Sequence, residues 1–174
     1  MVPSGRCGWS RENGAVSVAE CQILEAIDED AGEILSLQRA AYQSEALLYD
    51  NPRLPPLRQA LEDLRKEMRC STCLKAVLAG RIVGSIRGRI EDDTCHVGRL
   101  IVAPDLQGRG IGTRLIEDLE GRFRLEVARF EVFTGNRSLR NINLYRRLGY
   151  REIRRQLSSE ALELIFMEKP SPAG

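Results

Sequence analysis

Apolar positions recur along the chain with two periods, and the switches between them divide it into elements. Residues 21–26 read as a short strand. Over residues 31–49 the period is helical, with Ile34, Leu37 and Ala41 on one face. Asn51-Pro52 and Pro55-Pro56 break that pattern and enclose a loop. Leu57, Leu61, Leu64 and Met68 then recur at i, i+4, i+7 and i+11, which predicts an amphipathic helix opening after a proline. Residues 74–78 and 81–90 read as strands joined by the tight turn Ala79-Gly80. Glu91-Asp92-Asp93 makes the next turn, and residues 95–103 a further strand. Leu115, Ile116, Leu119 and Phe123 keep helical spacing and predict a helix over 108–123. A strand over 129–134 and a helix over 138–148 ended by Gly149 follow, then strands over 150–155 and 161–167. Hairpins come first and strand–helix–strand alternation after them. That order predicts an α+β fold, with a mixed sheet covered by helices.

Composition narrows the class. The chain has 174 residues, 43% of them hydrophobic and 29% charged, which suits one domain with its own core. We place that domain at residues 20–169. Residues 1–19 carry Gly, Ser, Arg and Asn without an apolar h-region, so they read as a flexible tail and not as a secretory signal. Residues 170–174 read as a second tail. The net charge is +1, with 26 basic against 25 acidic residues, and gives no electrostatic case for a nucleic-acid partner. No apolar run approaches the roughly eighteen residues a membrane span needs. Five cysteines cannot all pair within one chain. Cys70-x-x-Cys73 has two readings: a tetrahedral zinc site completed by Cys95 and His96, or free thiols where a helix meets a strand. No second C-x-x-C or H-x-H spacing supports the first, so no metal is expected and a reducing, cytoplasmic setting is.

The segment with most chemistry is Gln107-Gly108-Arg109-Gly110-Ile111-Gly112, between the apolar Leu100-Ile101-Val102 and the predicted helix. A glycine-rich loop opening a helix bares backbone N–H groups at the positive end of the helix dipole, which suits phosphate oxygens. A Walker loop needs Lys-Ser or Lys-Thr after its last glycine, and here Thr113-Arg114 follows Gly112. A dinucleotide fingerprint needs G-x-G-x-x-G, and here the glycines run G-x-G-x-G. The pattern [Arg/Gln]-x-x-Gly-x-[Gly/Ala] fits at Gln107, Gly110 and Gly112. It resembles the coenzyme A pyrophosphate loop of the GCN5-related N-acetyltransferase (GNAT) family. Downstream, Asn141-Ile142-Asn143-Leu144-Tyr145-Arg146-Arg147-Leu148-Gly149-Tyr150 is similar to that family's helix, whose Leu-Tyr pair is followed by Leu-Gly-[Tyr/Phe]. The strand-like Phe130-Glu131-Val132-Phe133 lies between the two blocks, and the resemblance spans residues 20–168. Gly112 also shares the apolar stripe of its helix, which would let the helix N-terminus approach the sheet closely.

The resemblance implies an enzyme that moves an acetyl group from acetyl-coenzyme A to a primary amine, by direct attack in a ternary complex. It implies a GNAT-like α+β fold, a mixed and mostly antiparallel sheet of about seven strands flanked by about four helices. Leu100, Ile101 and Val102 would pair an open strand edge with the pantetheine arm, next to a bulge where the fourth and fifth strands splay. Gln107, Gly108, Arg109, Gly110, Ile111, Gly112 and Thr113 would hold the pyrophosphate. Asn141 would donate an amide hydrogen bond along the cofactor. Tyr145 is the expected general acid and also touches the cofactor: a phenol (about 10) is protonated at neutral pH and faces a thiolate (about 8.5). His96, eleven residues before Gln107, is either the general base or a strand histidine that lines the pocket or meets solvent. Alternation puts it on the face of Gly98, Leu100 and Val102 unless a bulge changes register. Glu91, Asp92 and Asp93 either attract a cationic amine or form a solvated turn. The amine site would draw on Tyr42, Glu45, Tyr49, Asp50, Asn51 and Arg53, for a small-molecule or peptide acceptor. A homodimer and a longer acyl group stay open. The alternative class is a coenzyme A-binding sensor or interaction module with little catalysis.

Overall fold

A computed structural model of the protein describes residues 20–159 and 162–172; the tail expected over 1–19 lies outside the described residues. In chain order come β1 (Gln22–Glu25), α1 (Ala31–Ala41), α2 (Gln43–Leu48), α3 (Pro55–Arg58), α4 (Leu61–Arg69), β2 (Thr72–Leu78), β3 (Arg81–Glu91) and β4 (Thr94–Val102). Then follow α5 (Ile111–Phe123), β5 (Arg129–Gly135), α6 (Leu139–Arg147), β6 (Arg151–Ser159) and β7 (Leu162–Pro170). The strands form one sheet in the order β1-β2-β3-β4-β5-β7-β6. Every neighbouring pair is antiparallel except β4 and β5, which run parallel. This is the mixed α+β sheet expected from the order of periods, and mostly antiparallel as the resemblance implied.

The helices are more broken than the periodicity suggested. Tyr42 (φ −82°, ψ −2°) interrupts the helix expected over 31–49 and divides it into α1 and α2. Gln59 (ψ 131°) and Ala60 (ψ 156°) turn extended and separate α3 from α4. Apolar spacing runs across both breaks, so it carries no trace of them. Pro170, expected to open a tail, is the last residue of β7 and pairs with Arg129. Ser171 follows, buried, with its Oγ donating to Arg124 O at 2.7 Å.

Helices cover both faces of the sheet. On β3, a Cβ added at Gly84 would meet Leu115 Cδ1 at 3.0 Å and Ile111 Cγ2 at 3.2 Å, so the missing side chain is what seats α5 on that face. Arg87 points the other way. The residue is 5% exposed, and its guanidinium is bonded to Glu67 of α4 and, through Nη2 at 2.5 Å, to Gln38 Oε1 of α1. Gln38 is itself fully buried and donates to Pro56 O at 2.8 Å and Gln59 Oε1 at 2.9 Å. Pairing with Glu67 and Gln38 offsets the cost of burying this charge, although Arg87 Nε has no hydrogen-bond partner among the described residues, and the network ties α1, α3 and α4 to the sheet. No helix among the described residues is long and apolar enough to cross a membrane.

Candidate active site

Two neighbouring strands part company in the middle of the sheet. β4 pairs with β5 only from Thr94 opposite Arg129 to Val97 opposite Val132. Beyond that point β5 runs on beside β7 to Gly135, while β4 runs on beside β3 to Val102. The cause lies in β4: Ser85 to Arg87 of β3 oppose Ile101 to Gly98 of β4, one residue more. Arg99 is the bulged residue, with φ 51°. A bulge bends its strand and increases the twist, which swings the end of β4 off β5. Ala103 N–H donates to Val83 O at 2.8 Å, so by alternation Val102 faces the opposite, open edge. There its carbonyl accepts from Gln107 Nε2 at 3.0 Å.

The bulge also settles which face each β4 side chain takes. His96 pairs with Arg89, Gly98 with Arg87 and Ile101 with Ser85, so these share the α1/α4 face. Leu100 and Val102 lie on the α5 face, where a Cβ added at Gly112 would meet both at 3.7 Å. The extra residue therefore separates His96 from Leu100 and Val102, as a one-residue slip must.

After β4, a single turn of 3-10 helix over Pro104–Leu106 leads into the glycine loop. Gly108 (φ 78°) and Gly110 (φ 87°) are both left-handed, which explains glycine at each. Gly110 is the N-cap of α5, and no side chain caps that helix. Arg114 N–H returns to Gly110 O at 3.1 Å, so the N–H groups of Ile111, Gly112 and Thr113 precede the first intrahelical bond. All three residues line a cleft of about 590 Å³, together with Gln107, Gly108 and Gly110. Arg109 points away, exposed, and is not among the lining residues. Gly112 does not have the packing role expected of it: its added Cβ would make ordinary contacts, and the close approach of α5 belongs to Gly84.

The cleft continues along Gly98–Val102 and between the parted strands. Tyr145 of α6 lines it, buried, its ring edge-on to Tyr150 at 5.8 Å between centroids. Burial pushes its phenol well above the ordinary tyrosine range, with Tyr42 and Glu45 adding to the shift. Asn141, one turn before it, lines the same wall. Opposite stand Tyr42 and Glu45, brought in through the gap that the splay opens. Glu45 Oε1 accepts from Ser138 Oγ at 2.7 Å, and the Tyr49 hydroxyl accepts from Arg137 N–H at 2.7 Å. These two contacts hold α2 down on the start of α6. A Cβ at Gly135 would lie 2.1 Å from the Tyr49 hydroxyl, so that strand end must be glycine for the clamp to close.

Other candidates fall elsewhere. Asp50, Asn51 and Arg53 do not line the cleft; Asn51 Oδ1 accepts from Arg53 N–H at 2.9 Å and closes a local turn. His96 is also outside it, with its side chain 43% exposed and Nδ1 3.5 Å from Glu131 Oε1. Glu91 and Asp93 pair with Arg89 at 3.3 Å and Arg129 at 3.1 Å on the surface. Cys73 and Cys95 are buried and Cys70 is exposed, and no group of three or more His, Cys, Asp or Glu among the described residues is placed to hold a metal ion. Two cleft residues escaped the sequence reading. Arg140 donates to Gln107 Oε1 and bridges α6 to the loop, and Arg99 rides on the bulge. Neither position is one of the fixed positions of the two motifs, so neither carried a signal.

The family model described as "Acetyltransferase (GNAT) domain" matches residues 49–171, more than half of the chain. Comparison with curated proteins gives no match. Among solved structures, the ribosomal-protein-S18-alanine N-acetyltransferase of Escherichia coli is similar at TM-score 0.72 and 16% identity, over 87% of this chain and 94% of that one. The PaiA N-acetyltransferase of Thermoplasma acidophilum, a complex with coenzyme A, gives 0.72 and 16%, over 87% and 99%. YncA of Salmonella typhimurium, a structure with its cofactor acetyl-CoA, gives 0.70 and 17%, over 88% and 95%. At such identities these likenesses establish a shared fold.

Proposed function

The chain belongs to the GNAT acetyltransferase family, and on that premise we propose that it is an N-acetyltransferase, moving an acetyl group from acetyl-coenzyme A to a primary amine within a ternary complex. One observation carries the reading: an uncapped helix N-terminus and an unpaired strand edge open into the same cleft, next to a buried tyrosine.

The residues present fit the cofactor. An added Cβ at Gly108 or Gly110 meets nothing within 4 Å, so the loop leaves room for a diphosphate against its backbone. The N–H groups of 111–113 supply donors where the helix dipole favours negative charge. Arg140, held by Gln107 at the rim, adds a cation there. The open edge of β4 from Gly98 to Val102 offers backbone groups to the amides of a pantetheine arm, a form of strand addition.

Acetyl-coenzyme A supplies the acetyl group as a thioester. The amine nitrogen forms a bond to the carbonyl carbon, the carbon–sulfur bond breaks, and one proton passes overall from nitrogen to sulfur. Tyr145 is the group of this chain placed to serve the sulfur. Its raised pKa keeps the phenol protonated at neutral pH and also makes full proton transfer to a thiolate unfavourable. Its role is then to donate a hydrogen bond as sulfur leaves, strengthened by the low dielectric around it. No histidine lines the cleft, and Glu45 is the one carboxylate among the described lining residues.

The test is thiol release from acetyl-coenzyme A across a panel of amines, with coenzyme A binding followed by calorimetry. Amine-dependent release and micromolar binding are expected. Binding without release to any amine would leave a cofactor-binding module, and no binding at all would remove the whole reading.

A further inference from the structure

The acceptor side of the cleft holds a cation, Arg99, for which the described residues supply no counter-ion. Arg99 is part-buried, lines the cleft, and sits at the bulge with φ 51°, a conformation that L side chains adopt reluctantly. Strain kept at a non-glycine residue asks what its side chain is for. Among the described residues no carboxylate pairs with Arg99, and its Nε is buried without a hydrogen-bond partner. The nearest buried charge worsens matters. Arg87, on the same face of the sheet, repels it, and the carboxylate and amide of that region, Glu67 and Gln38, are already bonded to Arg87.

Cofactor phosphates do not account for this charge. The loop that would hold them begins beyond Ala103, about 13 Å of extended strand away from Arg99. The bulge lies instead where the thioester end of the arm would stop. Tyr42 fixes what else stands there. Burial raises its phenol pKa, Arg99 lies against its hydroxyl and opposes the rise, and Glu45 adds to it. A guanidinium and a carboxylate therefore flank one hydroxyl, on the side of the cleft from which an amine must arrive. Glu45 is held in place through Oε1 by Ser138.

We propose that Arg99 receives the carboxylate of the acceptor, and that the acceptor is a free amino acid, its carboxylate on the guanidinium and its amine directed toward Glu45 and the thioester. A guanidinium and a carboxylate lining one cleft suit an acceptor that carries both a carboxylate and an amine better than a polyamine, which has no anion to offer Arg99. A fork of guanidinium donors fits a carboxylate bidentately, and the pair is strong where water is scarce. The proposal rests on the acetyltransferase reading above.

Thiol release is measured for a set of L-amino acids, each beside its α-carboxamide, with wild type, Arg99→Met and Arg99→Lys. The wild type is expected to favour the acid over the amide by about tenfold or more in kcat/KM, chiefly through KM. Arg99→Met should bring that ratio to about one, and Arg99→Lys should restore part of it. Calorimetric affinity for coenzyme A within about twofold of wild type shows that the variants fold and that the effect is on the acceptor. Amides acetylated as well as acids, or an unchanged ratio in Arg99→Met, overturns the proposal while leaving the acetyltransferase reading intact. Failure of every amine, acid or amide, to give thiol release overturns both.

Discussion

At the scale of single residues, Tyr145 and Gly135 separate chemistry from architecture. Replacing Tyr145 by Phe removes one hydroxyl from a buried ring and leaves its packing on Tyr150. We expect kcat to fall by about 100-fold and the coenzyme A dissociation constant to stay within about twofold. Unchanged turnover would take the phenol out of the mechanism. The pH profile gives a second check. Burial moves the phenol up from its ordinary value, so it stays protonated past pH 10, and no alkaline loss of kcat below that pH belongs to it. Gly135→Ala acts on structure alone. Its methyl group would occupy the place of the Tyr49 hydroxyl, which caps Arg137 N–H at 2.7 Å. The expected loss of stability is about 3 kcal/mol, read from the urea midpoint, because Tyr49 must swing out and leave that donor unpaired. Sequence legibility divides along the same line. Tyr145 was visible because a Leu-Tyr pair precedes Leu-Gly-Tyr, whereas the clamp was not, since nothing near Tyr49 in sequence names Gly135 as its neighbour.

At the scale of elements, three glycines in and around α5 should respond differently to substitution: Gly110 at its N-cap, Gly112 in its first turn and Gly84 on the strand beneath it. Gly110, at φ 87°, caps the helix and faces the cleft. Gly110→Ala strains the loop by about 1–2 kcal/mol and should weaken coenzyme A binding more than tenfold. Gly112→Ala puts a Cβ 3.7 Å from Leu100, Val102 and Leu144, an ordinary contact, and gains helix propensity of about 1 kcal/mol. Binding should survive it, in keeping with the Gly-or-Ala freedom of that motif position. Gly84→Ala sits on the strand below, where its methyl would press on Leu115 at 3.0 Å and Ile101 O at 3.1 Å, and should lower stability while the loop stays intact. Thermal melts beside calorimetry of the three variants check this order, and loss of binding in Gly112→Ala would contradict it. The loop was legible because two left-handed positions, Gly108 and Gly110, one residue apart, both favour glycine. The bulge was not: the left-handed residue of β4 is Arg99, although Gly98 stands beside it and would take that conformation at less cost. Register, and with it the face of His96, depends on that one residue, so alternation counted from the sequence gives the wrong side. The break at Tyr42 stayed hidden for a related reason, since a helix can bend without disturbing its apolar stripe.

At the scale of the whole molecule, the core that shapes the cleft also sets its tolerance of alkali. Cys95 is fully buried beneath α5, and burial, with Glu120 adding, pushes its thiol from 9.0 up to about 12. Cys21 and Cys73 are raised for the same leading reason, and Tyr145 and Tyr150 lie above the ordinary tyrosine value. Each of these groups is held in its neutral form by the fold. In the unfolded chain the thiols release protons once pH passes about 9, while the folded protein keeps them. Stability is therefore fully present below pH 9 and falls above it, by about 1.4 kcal/mol per pH unit for each such thiol until its folded pKa is reached. The tyrosines join from about pH 10. Urea unfolding at pH 8, 9, 10 and 10.5 should show this steepening. Cys95→Ala should remove about 1.4 kcal/mol per unit of the fall above pH 9. Equal slopes in wild type and Cys95→Ala would mean that the thiol ionises inside the fold, so that water reaches the sheet beneath α5. The floor on which the cofactor helix rests would then be far less dry than its packing on Gly84 and Cys95 requires.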